Sequence, residues 1–258
     1  MGSALITGAS SGIGLATARL LAARGWRLFL VGRSPERLEA AAGNLGARLL
    51  EADLAEPGAA RRLAAAMEAE ADGLELLVNG AGQLEVGPAE GGAAERLIQV
   101  NCLGAIRLIE ACLPLLRRGR RPCIVNLSSV AGRIAPPYMA AYAASKAALT
   151  AYSHALRQEL RPQGIHVGLV LPGPVATPMV QGLLGGPHYP LPPGLPVLRA
   201  DEVARAVLAV AERRLAEVIL PRRLGVAARL ASAFPLLVDQ LYRRIGRRQE
   251  EVGTRCGA

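Results

Sequence analysis

Tyr142 and Lys146 stand four residues apart in the run Tyr142-Ala143-Ala144-Ser145-Lys146. On a helix that spacing projects both side chains from one face. An ammonium beside a phenol favours the phenolate and draws its pKa down from about 10. A phenol tuned toward neutrality can donate a proton to a carbonyl oxygen or take one from an alcohol. Composition sharpens the point: of 30 basic residues, Lys146 is the one Lys. An Arg there would also be charged, but its planar fork has a different reach and hydrogen-bonding geometry.

A second constellation opens the chain. Thr7-Gly8-Ala9-Ser10-Ser11-Gly12-Ile13-Gly14 follows the short apolar run Ala4-Leu5-Ile6 and precedes helical periodicity. Gly8 permits a tight turn, Gly12 lets a pyrophosphate approach the backbone, and Gly14 lets the helix pack on the strand. Free N–H groups and the partial positive charge of the helix N-terminus complete an anion cradle. The spacing is GxxxGxG rather than the commoner GxGxxG. After the next apolar run comes Val31-Gly32-Arg33-Ser34, where an acidic residue would accept bonds from the adenosine ribose of NAD(H). An Arg fork instead suits a 2′-phosphate, which favours NADP(H) over NAD(H).

These residues need a scaffold that brings strand ends together. Short apolar runs predict strands at Ala4–Thr7, Arg27–Val31, Arg48–Glu51, Glu75–Asn79, Cys123–Ser128, His166–Leu171 and Glu217–Leu220. Helical periodicity falls near 13–24, 35–43, 57–71, 93–117, 140–161, 201–213 and 223–246. Strands apolar on both faces, alternating with helices, imply βαβ units. With right-handed crossovers the expected architecture is a single α/β domain, a doubly wound parallel sheet of about seven strands. Ligands of such sheets bind beyond the carboxyl ends of the strands. Asn79-Gly80-Ala81-Gly82, Asn126-Leu127-Ser128-Ser129 and Pro172-Gly173-Pro174-Val175-Ala176-Thr177 all fall there.

In order along the chain, the GxxxGxG turn, Asp53-Leu54, N-x-A-G, Asn101, a Ser, YxxxK and PGxVxT resemble the short-chain dehydrogenase/reductase family over roughly residues 2–220. The resemblance implies a Rossmann-type fold and an oxidoreductase acting on CH–OH groups by hydride transfer. It implies a catalytic set of Asn101, Ser129, Tyr142 and Lys146. Ser129 rather than Ser128 lies thirteen before the Tyr, as in the family, and would hold the substrate oxygen near Tyr142, the acid/base. Lys146 would bind the nicotinamide ribose, and Asn101 a water of a proton relay. Further cofactor contacts implied are Gly8, Ser10, Ser11, Gly12, Ile13, Gly14, Arg33, Asp53, Leu54, Asn79, Ala81, Gly82, Pro172, Gly173, Val175 and Thr177. Two departures stand out: Gly80 where the family often has a second Asn, and Ser11 where many NADP-using relatives carry a basic residue. The family also implies a homodimer or homotetramer.

The stretch Pro174 to Leu198 has no charged residue, seven Pro and four Gly, so it is expected to form an apolar lid rather than a membrane helix. With Met179 and Leu183 beside Ser129 and Tyr142, it points to an apolar or lipid-like ketone or aldehyde and the matching alcohol. Arg133 is the nearest cation for an anionic alternative. A 3-oxoacyl reductase on an acidic carrier protein is the runner-up, with Arg117-Arg118-Gly119-Arg120-Arg121 as its docking run. A non-catalytic NADP-sensing regulator is the reading from another class. Residues 222–258 carry eight Arg against three acidic residues, beside a stripe of Leu230, Phe234, Leu237, Leu241 and Ile245. They form a basic amphipathic helical extension of the 1–221 catalytic domain, suited to packing, oligomer contact or a peripheral membrane surface.

Composition excludes several classes. Hydrophobic residues at 51% against 20% charged exclude a disordered chain. Aromatics at 3% leave no stacking platform for single-stranded nucleic acid, so the net charge of +9 is not read as nucleic-acid binding. Cys102, Cys112, Cys123 and Cys256 form no CxxC pair, and His154, His166 and His188 no cluster, so no metal is expected. With no signal peptide visible the expected location is the cytoplasm, with membrane association through the extension.

Overall fold

The inner strands of the sheet are runs whose side chains are covered from both sides, while the two edge strands are partly exposed, and this dictates the architecture. The computed structural model describes residues 2–183 and 195–225, with 228, 236, 239, 240, 242 and 243 beyond them. Seven strands, β1 (Ser3–Thr7), β2 (Arg27–Gly32), β3 (Arg48–Glu51), β4 (Leu76–Asn79), β5 (Cys123–Leu127), β6 (His166–Pro172) and β7 (Glu217–Leu220), form one sheet. Their order is β3-β2-β1-β4-β5-β6-β7 and every pairing is parallel. The order reverses between β1 and β4, which places a crevice beyond their carboxyl ends.

Period-two alternation sorts the strand residues into two cores. Ala4, Ile6, Leu28, Leu30, Leu76, Val78, Val125 and Val170 face one side, against Ala18 and Leu21 of α1 (Gly12–Ala22), Leu38 of α2 (Pro35–Ala42) and Val203, Val207 and Val210 of α9 (Ala200–Arg213). Leu5, Phe29, Val31, Leu77, Ile124 and Val167 face the other, against α3 (Ala59–Glu68), α5 (Gly104–Arg118) and α7 (Ala140–Leu160). Cys123 in the first core and Cys112 in the second are buried as small apolar groups, and burial pushes both thiols up to about 12.

The helix predicted over 93–117 is three pieces. α4 (Ala94–Ile98) runs into a π-helical turn, Gln99–Leu103, and then into α5. The whole run Ala94–Arg118 is long and apolar enough to cross a membrane, but half of it is buried against the sheet and its neighbours. Hydropathy periodicity does not register one extra residue in one turn, so the interruption was not foreseen. Two short helices also went unpredicted, α6 (Ala131–Ile134) and α8 (Pro178–Gln181), each too brief to show a period. Of the helix predicted over 223–246, the described residues 222–225, 228, 236, 239, 240, 242 and 243 are all helical, and Leu224 and Ala228 pack with Ile219, Leu169, Leu171 and Val130. Leu230, Phe234, Leu237, Leu241 and Ile245 lie outside the described residues.

Candidate active site

The glycine turn after β1 takes the form its sequence requires. Gly8 and Gly12 have φ of +68° and +52°, left-handed values that a side chain resists, and a Cβ on Gly14 would lie 2.3 Å from the Gly8 carbonyl oxygen. Ser11 caps α1 without a side-chain hydrogen bond, so the first N–H groups of the helix stay open to the crevice. A groove of about 490 Å³ lies over them. It is lined by Gly8, Ser10, Ser11, Gly12, Ile13 and Gly14, then by Arg33, Asp53, Leu54, Ala81 and Gly82, which brings these candidate cofactor contacts together.

The far end of the groove holds a residue the sequence reading missed. Arg37 lines it with Arg33, one helical turn along α2. The Ser34 Oγ accepts the Arg37 N–H at 3.2 Å, and Pro35 starts the helix, so the cap fixes where both guanidinium groups emerge. Among the described residues neither Arg makes a salt bridge. The available signal was a second Arg four residues after Arg33, which itself precedes the Ser34 cap. A nicotinamide dinucleotide fits this groove: the open helix N–H groups would face its pyrophosphate, and at the far end two exposed guanidinium groups stand without a carboxylate partner among the described residues.

At the other end, a cavity of about 90 Å³ is walled by Ser129, Tyr142, Lys146, Pro172, Gly173, Val175, Thr177 and Met179. Lys146 is buried, its Nζ donates to the Leu127 carbonyl at 2.9 Å and sits 6.0 Å from the centre of the Tyr142 ring. Burial lowers its pKa to about 8, partly opposed by the neighbouring Cys102 thiol. Ser128 turns away, its Oγ donating to the Lys146 carbonyl and bonding Thr150. Ser129 faces the cavity, its Oγ accepting the Ala131 N–H at 3.1 Å. Close packing brings Ser129 to the tyrosine helix: a Cβ on Gly132 would stand 2.8 Å from the Ala147 nitrogen, so only a glycine lets α6 lie on α7.

Asn101 sits in the π turn and lines neither the groove nor the cavity beside Tyr142. Its Oδ1 accepts the Gln83 N–H at 2.7 Å, and its Nδ2 donates to the Gln83 carbonyl and the Ser145 Oγ, both at 2.9 Å. Ser145 in turn donates to the Tyr142 carbonyl at 2.7 Å. Both amide donors are therefore engaged, which leaves one lone pair on Oδ1 for a further partner. Ser145, three residues after the Tyr, was not singled out from sequence.

Three expectations are corrected. Asn79 does not line the groove: its Nδ2 donates to Asn126 Oδ1 at 2.8 Å, and Asn126 passes the chain to Ser153, so it ties β4 and β5 to α7. Leu183 lines neither cavity, and Val180 of α8 takes the place assigned to it. Arg133 is no anion clamp, because its guanidinium is spent on Glu217, with His154 beside both. Gly80 is explained as well: a Cβ there would lie 2.7 Å from the Thr7 carbonyl oxygen, and the Thr7 Oγ1 accepts the N–H groups of Gly80 and Ala81.

Next to the reacting groups lies an apolar cavity of about 120 Å³. Ser129 and Tyr142 belong to its wall too, with Leu84, Val130, Ala131, Ile134, Pro136, Met139, Gly173, Pro174, Val180, Leu195, Leu224 and Tyr242. Met179 flanks the other two pockets. The Arg117–Arg121 run is remote from all of this. It begins in the last turn of α5 and continues past it, where a Cβ on Gly119 would meet the Leu74 carbonyl ahead of β4, at the amino edge of the sheet.

The model of the short chain dehydrogenase family matches residues 3–185. The chain belongs to that family. This short-chain dehydrogenase is 35% identical over 251 residues to an uncharacterized oxidoreductase of Myxococcus xanthus, covering 94% of this chain and 96% of that one. It is 36% identical over 177 residues to a probable short-chain type dehydrogenase/reductase, VdlC, of Helicobacter pylori, and 35% identical over 177 residues to a 3-ketodihydrosphingosine reductase of Bacteroides thetaiotaomicron. Each of these two alignments spans 67% of this chain, and 65% and 64% of those proteins respectively. In the solved structure of a Pseudomonas aeruginosa RhlG/NADP active-site complex the likeness has a TM-score of 0.76 at 28% identity, over 86% of this chain and 95% of that one. The short-chain dehydrogenase thus has the seven-stranded parallel sheet and the oxidoreductase kinship its sequence implied.

Proposed function

We propose that the chain is an NADP(H)-dependent carbonyl reductase and alcohol dehydrogenase for uncharged, apolar ketones or aldehydes. One observation carries this: Ser129 and Tyr142 line both the cavity at the nicotinamide end of the groove and the apolar cavity beside it. A group bridging the two cavities has its oxygen at these hydroxyls. The nicotinamide, when bound, supplies or accepts the hydride.

The protein does the rest. The Ser129 hydroxyl holds the substrate oxygen where charge develops. Tyr142 gives that oxygen a proton in reduction and takes it back in oxidation. Lys146 provides a positive charge beside the phenol and favours its ionised form. The bond from Asn101 through Ser145 to the Tyr142 carbonyl fixes the first turn of α7 and hence the phenol's approach. Arg33 and Arg37 read the 2′-phosphate, a bidentate task suited to guanidinium groups. The lining is neutral and apolar among the described residues, which suits an apolar group and offers a carboxylate no counter-charge there. Kinship to a 3-ketodihydrosphingosine reductase supports a lipid-like ketone.

The test is NADPH oxidation over a panel of ketones and aldehydes graded in chain length. Tyr142→Phe is expected to lower kcat by about 10²–10⁴-fold with its melting temperature retained. Equal turnover by the two proteins would exclude the phenol as acid/base. Tight NADPH binding without turnover of any compound would favour the sensing regulator.

A further inference from the structure

The apolar cavity contains one polar side chain that neither the hydride-transfer reading nor the packing uses. Tyr242, from the C-terminal segment, lines the wall with Leu224, and Ser129 and Tyr142 line the same space from β5 and α7. Among the described residues its hydroxyl has no hydrogen-bond partner, and the remaining wall is Leu, Val, Ile, Ala, Pro, Met and Gly. Tyr242 is half-buried and brings a hydroxyl donor to an otherwise apolar stretch of wall, where Phe would fill the same volume without one. Burial alone pushes the Tyr242 phenol up to about 12, so it stays a neutral donor and does not exchange protons with the reacting oxygen.

We propose that Tyr242 is a specificity-determining residue: its hydroxyl donates a hydrogen bond to a second, uncharged oxygen of the substrate, so that the preferred substrates are neutral ketones bearing an ester, hydroxyl or second carbonyl close to the reacting carbonyl. The inference rests on the carbonyl-reductase reading and narrows it. The cavity's scale sets the separation of the two oxygens. At about 120 Å³ it is somewhat smaller than a cavity of about 150 Å³ that takes a benzene ring, so it holds roughly four to six carbons. An oxygen at Ser129 and Tyr142 and another at Tyr242 then belong to a 1,3- or 1,4-related pair. Among the described residues this wall holds no cation, which favours a neutral second group. A site built to bond a substrate oxygen discriminates against the analogue that lacks it, because the protein's own polar group is then left unpaired.

The experiment compares ethyl 3-oxobutanoate with 2-heptanone, which has the same chain length but lacks the second oxygens. The full-length protein, Tyr242→Phe and Tyr242→Gln are assayed with saturating NADPH. The ester is intrinsically more reactive, so the readout is the change in the ratio of kcat/KM values between proteins. Tyr242→Phe is expected to lower kcat/KM for the keto ester by about 5- to 10-fold, through KM, with kcat for both substrates within about twofold of wild type. The value for 2-heptanone should hold or rise, and Gln, which keeps a donor, should restore part of the preference. Equal effects on both substrates, or none on either, would overturn the role of Tyr242 while leaving the reductase reading intact. Failure of the wild type to reduce either compound would overturn the reductase reading, and this inference with it.

Discussion

Lys146 offers a quantitative check because its burial has a calculable cost and the chain contains no other Lys. Its pKa is held at about 8 against the usual 10.5, with desolvation as the leading cause. At about 1.36 kcal/mol per pH unit, that interval corresponds to about 3 kcal/mol by which burying the ammonium opposes folding. The sign follows from linkage. Below pH 8 both folded and unfolded chains hold the proton, and the full cost is present. Between about pH 8 and 10.5 the folded chain has shed it while the unfolded chain has not, so stability rises with pH. Lys146→Met keeps the length of the side chain and removes the titration. The Leu127 carbonyl it leaves unpaired adds a penalty that does not vary with pH. The buried thiols and Tyr152 act in the opposite direction at high pH, but they occur in both proteins and largely cancel in the difference. Urea unfolding at pH 7 and pH 9.5 should therefore show the wild type gaining about 2 kcal/mol relative to Lys146→Met over that interval. Parallel pH dependences would mean that the amine is hydrated in the folded protein, and the argument from burial would fail.

Two further outcomes are expected. Arg33→Ala and Arg37→Ala should each raise KM for NADPH about tenfold with little change for NADH, and an unchanged ratio of the two would show that neither guanidinium reads the phosphate. Glu217→Gln leaves Arg133, largely buried, without its counter-charge; a cost of about 3 kcal/mol should lower the Tm by roughly 6–12 °C in calorimetry, and a fall under about 2 °C would mean the pair is hydrated.

The strands were legible because a residue buried on both faces of a sheet has little choice but to be apolar. Ile6, Val78, Val125 and Val170 declare themselves without knowledge of their neighbours. Tyr142 and Lys146 were legible because one helix carries both and fixes their relation at short range. What escaped depends on how separate elements cross. Arg133 looks free in sequence, and only the return of the chain at β7 supplies Glu217. Asn79 looks like a groove residue until Asn126 and Ser153 are seen beside it. Val180 replaces Leu183 because the turn of α8 decides which of two apolar side chains meets the cavity. Arg37 sits on the far side of a helix cap, and its part in the groove appears only once α2 has a direction.

The π turn at Gln99–Leu103 divides one continuous rod into two independently oriented tools. A π turn closes a wider hydrogen-bonded ring than an α turn, so the side chains beyond it are rotated by about 100° from where an unbroken helix would put them. Within the turn, Asn101 grips the Gln83 backbone; downstream, the phase is set by Leu108, Ile109, Cys112, Leu115 and Leu116 seated on the sheet. Excising a single residue here would leave every contact partner in the chain yet put one half out of step with the other.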